Sequence, residues 1–201
     1  MTRPLTAVVR CASQDLARIR YTVETLLMAL DVPVCYSPHP PAEGPWLLYA
    51  ERPDEEDNLP GCLFVPYQPS SWESIHQNHT LKARSVAGVP IVLPGGTPRA
   101  PQHGDIPADI FANAFWFLSS WAERRGSDAD GTRGLYARSA VEQLGVPQDI
   151  VDVYLDELRR GLSACCERLN MSDWREPEWP GGREYGVVLS HDVDFIPANS
   201  L

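Results

Sequence analysis

The chain has 201 residues, of which 43% are hydrophobic and 22% charged, with a formal net charge of −10. This composition fits one packed globular domain, or one domain and part of a second, and argues against disorder. The acidic balance argues against a nucleic-acid module or an anionic membrane surface as partner, since either would call for clustered Lys and Arg.

No apolar run is long enough to span a bilayer. The stretch Ala7 to Val9, ending at Arg10, is too short for a signal-peptide core. The expected location is therefore cytoplasmic. Five cysteines, Cys11, Cys35, Cys62, Cys165 and Cys166, form no C-x-x-C pair and are odd in number. They are read as structural thiols, and neither a zinc ribbon nor a disulfide framework is expected.

Residues 14–30 carry Leu16, Ile19, Val23, Leu26, Leu27 and Leu30 at helical spacing, so a helix is predicted there, ended by Asp31. VPVCYS follows as a strand. Three short apolar runs come next, Trp46 to Ala50, Cys62 to Tyr67 and Val89 to Leu93, each bounded by Pro, Gly or acidic residues in the manner of strands and turns. ERPDEEDNLPG, between the first two, is read as a solvated acidic loop. Residues 1–100 are thus expected to form a small α/β domain. His76 and His79 have the spacing of two metal ligands on one helix face, but no third ligand lies nearby, and they are read as surface histidines. LPGGTPRAPQHGD lacks both the G-K-[ST] ending and the G-x-G-x-x-G spacing of phosphate loops and is read as a connection.

Residues 101–170 are predicted to be a helical segment packing on the α/β layer. One helix is expected to open with Asp105 as N-cap and Pro107 in its first turn, carrying Phe111, Phe115 and Leu118 on a wide apolar arc. A second is expected to start at Pro147 and end near Asn170. Its stripe is Val151, Leu155, Leu158, Leu162, Cys165 and Leu169, with Asp156 and Arg160 as an i,i+4 pair on the wet side. Residues 171–184 read as a linker.

Residues 185–201 begin YGVVLSHDVD. In an extended chain Ser190, Asp192 and Asp194 share one face, which places two carboxylates just beyond an apolar strand. At the carboxyl end of a parallel sheet or barrel, such a pair overlooks the active-site crevice. The same spacing also fits a solvated strand-to-loop turn. Three chemistries use an aspartate pair in this position. Haloacid-dehalogenase phosphatases place a threonine where this chain has Ile196. Glycosyltransferases hold a metal and a sugar nucleotide with such a pair, normally well inside the domain.

The third is closer, because more than the triplet agrees. Ser190-His191-Asp192-Val193-Asp194 resembles the [ST]-H-D-V-D first motif of the polysaccharide deacetylase, or NodB-homology, carbohydrate esterase family. Asp109 to Glu123, DIFANAFWFLSSWAE, resembles a segment of an uncharacterised N-terminal domain found ahead of such catalytic domains. Thr132-Arg133-Gly134-Leu135-Tyr136 and the P-x-x-x-V-D-x-Y run from Pro147 to Tyr154 follow in matching order. The resemblance covers roughly residues 85–197. It implies a metal-dependent carbohydrate N- or O-deacetylase whose catalytic base is Asp192 and whose metal ligand is Asp194. The cofactor would be a divalent metal, zinc, in the longer protein. His191 is expected to pack away from the aspartate face.

The expected fold class is accordingly α/β: a small α/β layer, a helical segment, and a C-terminal strand that would begin a deacetylase-type (β/α) barrel. The family completes its metal site with an H-x-x-x-H pair, which does not occur here, and seven residues follow Asp194. One carboxylate is not a metal site, and one strand is not a barrel. The chain alone is therefore expected to be catalytically inert, a truncated product or part of a longer frame. The alternative is a non-catalytic binding or interaction module that retains a remnant strand.

Overall fold

A computed structural model of the chain describes residues 4–54, 57, 59–76, 81–94, 105–119 and 140–171. The fold is mixed α/β. Strands β1 (Leu5–Val9), β2 (Val34–Tyr36), β3 (Trp46–Ala50) and β4 (Cys62–Pro66) form one sheet in the order β2-β1-β3-β4, and every pairing is parallel. The helices are α1 (Leu16–Ala29), α2 (Pro69–His76), α3 (Ile110–Leu118), α4 (Ala140–Leu144) and α5 (Ile150–Arg168). Strands β5 (Arg84–Val86) and β6 (Val89–Ile91) make a separate antiparallel hairpin.

Side chains alternate across the main sheet. Leu5, Ala7, Leu47, Tyr49, Leu63 and Val65 face a core shared with Ile19 and Val23 of α1, Trp72 of α2, Phe111 and Phe115 of α3, and Leu158 and Leu162 of α5. The core is thus continuous between the first hundred residues and the helical segment. Val8, Trp46, Leu48, Ala50, Cys62 and Phe64 form a second buried cluster on the opposite side. A strand buried on both faces reads as an unbroken apolar run, as WLLYA does, and its burial is complete along all five residues.

The helix ends follow from backbone chemistry. Asp31 has φ +56°, and its N–H reaches Met28 O while the Val32 N–H reaches Leu27 O. Asn170 has φ +52° and repeats the arrangement, with its own N–H on Glu167 O and the Met171 N–H on Cys166 O. These pairs satisfy the last carbonyls of α1 and α5 in Schellman fashion. Asp and Asn are the non-glycine residues that best tolerate the left-handed region. The hairpin turn carries positive φ at both Ala87 and Gly88, which matches the twist of a two-residue connection.

Several expectations are corrected. The N-cap of α3 is Asp109, whose side chain accepts from Ala112 N, not Asp105. The lead-in is tied to the sheet instead: the Ile106 N–H donates to Phe64 O of β4. Val89 to Ile91, within the run read as a strand, is one and pairs with β5 in the separate hairpin. Helix α5 starts at Ile150. Leu158, Leu162 and Cys165 of the predicted stripe are buried, while Ile150, Tyr154 and Cys166 join them and Val151 and Leu155 are only half-buried, so the inner face of the helix is broader than the predicted stripe and centred slightly to one side of it. Its surface ion pairs are Asp156–Arg159 and Glu157–Arg160 at i,i+3, not Asp156–Arg160. Asp57, in the loop read as solvated, is 2% exposed.

Among the described residues, Cys62, Cys165 and Cys166 are buried and not disulfide-bonded, whereas Cys35, on the edge strand β2, is exposed. Residues 172–184 of the predicted linker, the predicted barrel-initiating strand and residues 120–139 lie outside the described residues.

Candidate functional site

The densest polar arrangement lies where β3, the end of β4, α2 and α3 meet. Tyr49 projects from β3 into the core, its ring edge-on to Phe111 at 5.1 Å and to Tyr67 at 5.5 Å. Its hydroxyl accepts from Trp72 Nε1 at 2.8 Å and donates to Asp109 Oδ1 at 2.6 Å. Asp109 also accepts from Ala112 N at 3.0 Å and from Gln68 N at 2.9 Å. One turn on, Asn113 donates to Asp109 O, and its Oδ1 accepts from both Val92 N at 2.8 Å and Leu93 N at 3.0 Å. One carboxylate and one carboxamide thus satisfy backbone groups from the β4–α2 junction, the first turn of α3 and the chain leaving β6.

The electrostatics are those of a charge held by neutral donors. Burial pushes the Asp109 carboxyl up to about 7, against the opposing pull of the Tyr49 hydroxyl and the Ala112 and Gln68 N–H groups. Burial, and then the Asp109 charge, raise the Tyr49 phenol. A carboxyl titrating near neutrality beside a cavity is the usual signature of a general acid or base. The cavity here is lined by Gln68, Ser71, Arg84, Asp109 and Asn113 and has a volume of about 10 Å³. That holds one water-sized group. With both oxygens already accepting hydrogen bonds from the protein, Asp109 acts as a structural keystone.

A second polar group lies at the carboxyl ends of the strands. The strand order reverses beside β1, and ligands of open parallel sheets bind in the crevice at such a point. Here the protein's own side chains span it. Tyr67 reaches from the end of β4 to Asp15, with its hydroxyl 3.0 Å from Oδ2 and 3.5 Å from Ala12 N. Arg10 makes a bidentate pair with Asp57, including Nη2–Oδ1 at 2.9 Å, and also meets Asp54 at 2.9 Å. Burial raises the Asp57 carboxyl, but the hydrogen bonds from Arg10 and from Asp54 N, together with the guanidinium charge, outweigh it and leave the carboxyl below its ordinary value. Cys11, beside this group, has its thiol raised by burial and by Asp15, the opposite of what a nucleophilic cysteine needs.

Asp192 and Asp194, the predicted base and metal ligand, lie outside the described residues with Ser190 and His191, as do His79 and His103. His76 closes α2, and His39 lies in the loop after β2, where its N–H is 3.1 Å from Ser37 Oγ. Among the described residues no group of three His, Cys, Asp or Glu side chains is placed to hold a metal ion. Among those residues no helix is long and apolar enough to cross a membrane.

In the sequence Asp109 and Tyr154 stand out only as parts of a resemblance, and nothing marks Tyr49, Trp72, Asn113, Asp15 or Tyr67. The available signal was Asp109 itself, an N-cap residue immediately before an apolar helix. Comparison of the chain with models of known protein families, with curated proteins and with solved structures finds no match.

Proposed function

We propose that this chain is the N-terminal accessory region of a polysaccharide deacetylase-like, metal-dependent carbohydrate deacetylase, and that the chain alone is catalytically inert. The observation that carries the reading is the order of three motifs: Asp109 to Glu123, Pro147 to Tyr154, and Ser190 to Asp194. The geometry supports a division of labour among them. The first two motifs converge on β6 and the chain leaving it, Asn113 accepting from Val92 N and Leu93 N while the Tyr154 hydroxyl donates to Pro90 O at 2.9 Å. Asp109, Asn113 and Tyr154 in these two motifs are engaged in hydrogen bonds that hold the fold together, and the reading assigns the chemistry to the third.

In that reading Asp192 takes a proton from the attacking water and Asp194 contributes one ligand to a divalent cation. The barrel to which Ser190–Asp194 would belong is part of the same proposal. When bound, the cation, zinc, supplies Lewis-acid polarisation of the acetyl carbonyl. One carboxylate does not make such a site, so further ligands must come from a later H-x-x-x-H pair.

The test measures zinc-dependent acetate release from N-acetylated and O-acetylated oligosaccharides. It compares the 201-residue chain with the product of its genomic reading frame translated past codon 201. The expected result is no turnover by the chain, and turnover by a longer product that Asp194→Ala abolishes. Asp194-dependent turnover by the chain itself would overturn the inert assignment. A frame with no later histidine pair and no activity would favour a non-catalytic interaction module instead.

A further inference from the structure

We draw no further inference here: the strongest candidate, the apolar sheet face formed by Val8, Trp46, Leu48, Ala50, Cys62 and Phe64 opposite the helix layer, carries nothing because nothing among the described residues shows what covers it.

Discussion

Asp109 and Asp57 are two nearly unexposed carboxylates in one small protein, and they are held in opposite ways. Asp109 is 3% exposed and surrounded by neutral donors, so burial raises its pKa. Asp57 is 2% exposed but lies at the rim beside Arg10, whose side chain is 35% exposed, and its pKa is lowered. Around Asp109 the neutral hydrogen bonds only partly offset desolvation, whereas at Asp57 the Arg10 hydrogen bonds, the Asp54 N–H and the guanidinium charge together outweigh it. The first arrangement fixes how four elements meet in the core. The second pins one surface loop across the end of the sheet.

That difference predicts a ranking of substitutions. Near the Asp109 centre, Asn113→Ala strands two buried backbone N–H groups, at Val92 and Leu93, and is expected to cost about 2–4 kcal/mol in urea unfolding. Asp57→Ala frees an Arg10 that water can already reach, so the expected loss is smaller, about 1–2 kcal/mol. A loss at Asp57 equal to that at Asn113 would erase the distinction between the two regions.

The pH dependence separates the carboxylates by sign. A folded-state pKa raised to about 7 means that the native protein holds the Asp109 proton between the ordinary carboxylate range and neutrality. Its contribution to stability therefore falls as pH rises from about 4 to 7 and is level above that. Asp57 behaves in reverse: its contribution is present above the ordinary carboxylate pKa and is lost as pH falls through its lowered value. Urea midpoints from pH 3 to 8 should show the first slope in the parent protein and not in Asp109→Asn. The smallest effect is expected at the exposed pair on α5, where Arg159→Ala should change stability by less than about 0.5 kcal/mol.

Much of the architecture is legible in the residues. The apolar periodicity of α1 and α5 and the short runs WLLYA and CLFVP mark their elements, because burial imposes those patterns directly. β1 is harder to see, since LTAVV is short and its first residues mix polar and apolar types. α2 is hidden because PSSWESIH is mostly polar and buries chiefly Trp72 and Ile75. The cap of α3 is misplaced because Asp105 and Asp109 both precede the apolar run, and long-range bonds, from Tyr49 and Gln68 to Asp109 and from Ile106 to Phe64, go with the choice of Asp109.

The keystone role of Asp109 is harder still to read. It depends on Tyr49 and Gln68, which lie 60 and 41 residues away in sequence. Asp57 looks like one more acid in an acidic loop until Arg10, 47 residues earlier, is placed beside it. The motif at Asp192 and Asp194 rests on sequence resemblance alone.

The account turns on Asp109 being kept for the fold and not for chemistry. The most direct measurement is the unfolding free energy of Asp109→Ala against the parent chain in urea at pH 7. Removing the carboxylate leaves the Tyr49 hydroxyl and the Gln68 and Ala112 N–H groups without their acceptor, so a loss on the order of 3–5 kcal/mol is predicted. A carboxylate retained for catalysis is commonly a strained one, whose removal leaves stability unchanged or raised. An Asp109→Ala chain as stable as the parent, or more stable, would contradict the scaffold role assigned here.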